Sequence, residues 1–186
     1  MDLHLGDSTI HSQPRSTMDQ ETKKIIWSQF GAAIDTLEQV IKTCPDEVWF
    51  DASDKRQQIW YWVSHTLFWL DYYLSEDHEN FRPPEPFGME EMDPAGVVPD
   101  PPYSREQLQV YLEHCREKAR RTIREMTPER AHMVKQFGKR SITHAELMLY
   151  NLRHVQHHSA QMNTLMRQRI DKAAGWVFQA GVGLED

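Results

Sequence analysis

Four long stretches of this chain repeat apolar residues at intervals of three and four, and no stretch alternates apolar with polar residues clearly enough to compete as a strand. In the first, Ile26, Phe30, Ala33, Leu37 and Val40 share one helical face between about Asp19 and Thr43, and Pro45 ends the run. The second extends from about Asp54 to Ser75 and carries His65 among many aromatics. Trp49, Trp60, Trp62 and Trp69 fall in or just before it, a density that suits either a core or a pocket wall. Ser104 with Gln107 reads as a capping box opening the third, whose buried stripe is Leu108, Tyr111, Leu112, Cys115, Ala119, Ile123 and Met126, and which stops near Thr127-Pro128. Gly138 falls in the next connection, and Thr143 with Glu146 opens the fourth helix, which runs to about Ile170. The economical architecture is all-α, a four-helix bundle around one core, and 186 residues suit one domain better than two.

The remaining segments are read from composition. Residues 1–17 mix Ser, Gln, Pro and charge without periodicity and are expected to form a flexible arm ahead of a domain spanning 18–186. Glu76 to Tyr103 holds seven of the ten prolines, which excludes regular helix. Phe81, Phe87, Met89 and Met92 give this stretch apolar anchors, so an ordered flap across one end of the domain is expected rather than a loose linker. The tail, residues 171–186, is expected to pack back on the bundle through Trp176 and Phe178.

A formal charge of −7 argues against a nucleic-acid partner, which calls for a basic face. The local group Arg116, Lys118, Arg120, Arg121 and Arg124 reads as a solvated helix face. No stretch approaches the roughly 18 apolar residues of a membrane span, and the first residues lack the basic and apolar regions of a secretory signal. Cys44 and Cys115 lack CxxC spacing, so neither a thiolate cage nor a disulfide framework is suggested. A soluble cytoplasmic protein is expected. Glycine-rich phosphate loops, a GxSxG elbow and a nucleophilic Cys-His arrangement are all missing from the sequence.

The chemistry-bearing feature is His154 and His158, four residues apart and therefore stacked on one helical face. On an ideal helix with His154 at zero, His158 lies at about 40°, Met162 at about 80°, Val155 at about 100° and His157 at about −60°. The pair thus points into the apolar arc and His157 to its flank. On the second helix His65 is flanked by Trp69 at about 40° and Trp62 at about 60°, with Tyr72 at about −20°. Asp71, at about −120°, reads as a solvent-facing capping or salt-bridge residue, and His114 and His132 as solvent-facing. Imidazoles turned into a core need hydrogen-bond partners or a metal. Ten histidines make one HxxxH spacing unremarkable, so two readings stand: hydrogen-bonded core histidines, or one ion held by His65, His154 and His158.

Ser64-His65-Thr66-Leu67-Phe68-Trp69-Leu70-Asp71-Tyr72-Tyr73 and the pattern H-x-x-x-H-x-x-Q, here His154 to Gln161, together resemble the DinB/YfiT-like bundle proteins. These are metal-dependent enzymes that include bacterial thiol S-transferases, and the resemblance spans about Met18 to Arg169. It implies an up-down-down-up bundle with a long crossover between the second and third helices. It also implies one Zn²⁺ or Ni²⁺ on His65, His154 and His158, and a homodimer; three imidazoles suit Fe²⁺ or Co²⁺ as well. Ser159-Ala160 stands where many members carry Arg-Gly, and the proline-rich connection is longer than usual.

The expected function is a metal centre that activates a small thiol, as an S-transferase, or water, as a hydrolase, against a small electrophile. Trp62, Trp69, Tyr72 and Gln161 are candidate pocket residues, and a low-molecular-weight thiol is a candidate partner. The alternatives are a non-catalytic metal- or ligand-binding stress-response module, and an interaction protein without metal.

Overall fold

A computed structural model describes residues 20–52, 54–137 and 139–186, so the arm over 1–17 and Gly138 lie outside the described residues. Four long helices dominate: α1 (Gln20–Thr43), α3 (Ile59–Tyr73), α4 (Arg105–Arg124) and α6 (His144–Ile170), with the single turns α2 (Asp46–Trp49) and α5 (Pro128–His132) between them. Both capping boxes form. Ser104 accepts from the Gln107 amide and Thr143 from the Glu146 amide, and each partner side chain reaches back to the cap amide. The expected second helix begins later than its pattern suggests. A 3₁₀ turn at Lys55–Gln57, capped by Asp54, precedes it, and Gln58 adopts extended backbone (φ −79°, ψ 147°) that separates the two.

Contacts between helices give the chain direction. The Lys23 ammonium donates to the Arg124 carbonyl and the Asp46 carboxylate pairs with Arg105, so α1 and α4 run antiparallel. Trp60 packs on Tyr103 while Asp71 pairs with Lys118, so α3 and α4 run parallel. Tyr73 meets Tyr150 while Trp62 meets His158, so α3 and α6 run antiparallel. The result is an up-down-down-up bundle. Parallel neighbours explain the long connection after α3, since the chain must travel back the length of a 15-residue helix, about 22 Å, before α4 can start.

That connection is an ordered flap. Phe81 and Phe87 are buried, Phe87 stacking on Tyr111, whereas Met92 is exposed. Gly96 takes a left-handed φ of 64°, and its carbonyl accepts from the Arg56 guanidinium, which ties the flap to the chain ahead of α3.

The structure corrects four expectations. Val134–Phe137 (β1) and Arg140–Thr143 (β2) form an antiparallel hairpin, closed by the His144 amide donating to the Met133 carbonyl. The tail docks, but through Ala174 and Leu184 in the core and through backbone bonds to α1, while Trp176 and Phe178 stand 80% and 76% exposed. Trp27 donates to the Val182 carbonyl, and Asp35 accepts from the Gly181 amide. The basic run on α4 is not uniformly solvated: Arg116 is buried and pairs with Asp35, Glu38 and Glu113. Asp71 is 1% exposed, bonded to Lys118 at 2.5 Å and to Tyr111 at 3.1 Å, because α4 covers the side of α3 that a single-helix projection leaves open. Burial alone raises the Asp71 carboxyl, but His114 and Lys118 outweigh it and hold it below the usual range.

No helix among the described residues is long and apolar enough to cross a membrane.

Candidate metal centre

Antiparallel packing of α3 against α6 brings His65 to the turn that carries His154 and His158. The ring centroids lie 5.6 Å apart for His65 and His154, 4.9 Å for His65 and His158, and 4.5 Å for His154 and His158. One nitrogen from each lies within 4.8 Å of the others, a spacing from which three donors can converge on one ion.

The trio sits at the rim of the core rather than inside it. Met162, Val155, Ser159 and Met166 point to the bundle centre, and the two α6 histidines occupy the edge of that arc, half-buried, with His157 exposed. His65 is likewise half-buried. This margin suits a site that must be both dry and reachable.

Hydrogen bonds fix two of the three rings. His65 Nδ1 lies 2.7 Å from Glu91 Oε2, and His158 Nδ1 lies 2.8 Å from Gln161 Oε1. Both oxygens accept, so each Nδ1 donates, which leaves Nε2 as the nitrogen of each ring that can face a metal. His154 Nδ1 is buried with no hydrogen-bond partner among the described residues. Burial, reinforced by the neighbouring histidines, pushes His154 down to about 3. Burial and His65 push His158 down to about 4, although Gln161 opposes the shift. Both are therefore neutral near pH 7, the form that ligates. Two neutral rings and one buried nitrogen without a partner among the described residues together fit a divalent ion.

Aromatic side chains wall the centre. Trp62 meets His158 edge-on at 6.2 Å, Trp69 lies 6.3 Å from His65, and Tyr73 lies 6.1 Å from His154. Tyr72 stands behind this wall, edge-on to Trp69 at 5.5 Å and packed against Phe68, Phe81, His78 and Phe137. Gln161 stands beside His158, as its hydrogen bond shows. Ser159, where relatives are expected to carry arginine, is fully buried, and its hydroxyl has no partner among the described residues.

Glu91 is the residue that sequence reasoning misses. It comes from the flap, half a bundle away along the chain, and Glu90-Glu91 between Met89 and Met92 offers no periodicity to show which acid turns inward. Burial alone raises its carboxyl, but the hydrogen bond and charge of His65, with Tyr61 and Trp69, win and hold it below the usual range. On this side the flap leaves a cavity of only about 10 Å³, lined by Tyr61, Phe87, Glu91 and Tyr103. On the other side an open groove of about 510 Å³ runs along α6 past Tyr150, Arg153, His154 and His157. Of the three histidines, the groove along α6 reaches His154.

The sequence model of the DinB superfamily matches residues 29–162, which include all three histidines. No curated protein and no solved structure matches the chain.

Proposed function

The chain belongs to the DinB superfamily, and from that premise we propose that it is a metal-dependent enzyme in which His65, His154 and His158 hold one divalent ion, Zn²⁺ or Ni²⁺. The ion serves to activate a small thiol or water against a small electrophile. The observation that carries this reading is the convergence of three imidazoles, one with a buried nitrogen that has no partner among the described residues. When bound, a divalent ion on three neutral ligands keeps its full charge and an open position, and supplies the Lewis acidity that lowers the pKa of a thiol or water toward neutrality.

The remaining work falls to the chain's own side chains. Gln161 accepts from His158 Nδ1 and so orients that ring. Trp62, Trp69 and Tyr73 supply apolar surface for the substrate's carbon skeleton and keep bulk water from the reacting atoms. The groove along α6 supports entry from that side, past the exposed Arg153.

The test is turnover by metal-loaded protein with low-molecular-weight thiols against epoxide and haloalkane electrophiles, alongside ester and amide hydrolysis, with His65→Ala as the control. The expected result is metal-dependent turnover in one of these classes that falls at least about 100-fold in His65→Ala. No turnover in any class, with a large drop in melting temperature on metal removal, would replace this reading with a structural metal that staples α3 to α6.

A further inference from the structure

Tyr61, His65 and Trp69 stand four residues apart on α3, so their side chains line up along one face. Each carries a hydrogen to donate, and all three meet the same carboxylate. Glu91 Oε2 accepts from His65 Nδ1 at 2.7 Å and from Trp69 Nε1 at 3.1 Å, and Tyr61 also hydrogen-bonds to Glu91. The Glu91 side chain is 12% exposed, and among the described residues no lysine or arginine is a hydrogen-bond partner of it. The donors that meet this enclosed carboxylate come from one helix face, and the central one is a candidate metal ligand.

We infer that Glu91 is a positioning residue for the metal centre: its carboxylate holds His65 in the Nδ1–H tautomer and turns Nε2 toward His154 and His158. The inference rests on the metal-binding reading above. It makes the proline-rich flap part of the centre, since Glu91 lies in the 3₁₀ turn Glu90–Met92 within that flap. A carboxylate behind a ligating histidine fixes the ring and strengthens its donor nitrogen, and losing such a partner typically weakens metal affinity by about 10–100-fold. Glu91 acts through His65, so the set of ligating atoms does not depend on it.

Two measurements on full-length protein test this, with Glu91→Ala and Glu91→Gln as variants and circular dichroism as the folding check. In metal-free protein, ¹⁵N–¹H correlation should show His65 protonated at Nδ1 in the wild type and shifted toward the Nε2–H tautomer in Glu91→Ala. In a Co²⁺ titration with a competing chelator, Glu91→Ala should bind about 10–100-fold more weakly than wild type with unchanged visible band positions. Glu91→Gln keeps an oxygen acceptor for the Nδ1 proton and should lose less, under about 10-fold. Glu91→Ala that keeps the wild-type tautomer and binds Co²⁺ within about twofold of wild type would overturn the inference. Shifted bands would also overturn it, by making Glu91 a direct ligand. Wild-type protein that takes up no Co²⁺ overturns the metal reading and this inference with it, whereas uptake insensitive to Glu91 overturns this inference alone.

Discussion

At the scale of single residues, burial decides what the histidines cost and what they can do. His154 and His158 are pushed down to about 3 and about 4 when folded, and both titrate near the ordinary value of 6.5 when unfolded. Between those values the unfolded chain binds more protons, so the stability of metal-free protein is greatest above about pH 6.5 and falls as pH drops toward 4. Urea midpoints measured across that range should show the decline, and His154→Leu, which cannot titrate, should flatten it; a wild-type profile without slope would show the rings are not buried neutral. Asp71 gives a second prediction. Lys118→Ala leaves a 1% exposed carboxylate with Tyr111 and His114 as its side-chain partners among the described residues, and should cost about 3 kcal/mol by chemical denaturation. The inward turn of His154 and His158 and the outward turn of His157 were legible from helical spacing. The burial of Asp71 was not, because a projection of one helix cannot show that α4 lies across its flank. Glu91 was equally hidden, since its place depends on how an aperiodic flap lies against α3.

At the scale of elements, helices were legible and close approaches were not. Capping boxes and apolar stripes marked α4 and α6 in the sequence, whereas the hairpin escaped because each strand has four residues, none of them fully buried, and is too short to leave a pattern. The tail shows the same limit. Trp176 and Phe178 looked like its anchors, but it is held by hydrogen bonds to α1 and by Ala174 and Leu184 in the core, with Ala180 lying against Gly31. A Cβ at Gly31 would stand 2.5 Å from the Ala180 Cβ, a contact neither backbone can absorb without moving. Gly31→Ala should therefore destabilise the full chain by about 1–2 kcal/mol through overpacking. In a chain truncated after Ile170 the same substitution should stabilise by up to about 1 kcal/mol, because alanine is the better helix former. Equal effects in the two backgrounds, read by thermal unfolding, would show that the tail does not rest on that face.

At the scale of the whole molecule, the up-down-down-up order explains why one bundle needs a long flap and why that flap can serve a site between α3 and α6. Parallel α3 and α4 force the return crossing, and the crossing carries Glu91 to His65. If the centre binds metal only when folded, an ion at 100 times its dissociation constant should add about 2.7 kcal/mol of stability, seen as a higher melting temperature that a chelator reverses. The most direct test of the central claim is metal analysis of protein purified without an affinity tag, comparing wild type with His65→Ala and His158→Ala. The account predicts about one divalent ion per chain in the wild type and its loss in both variants. Metal retained at wild-type stoichiometry in either variant, or a wild-type chain that holds no divalent ion when it is supplied, would contradict it.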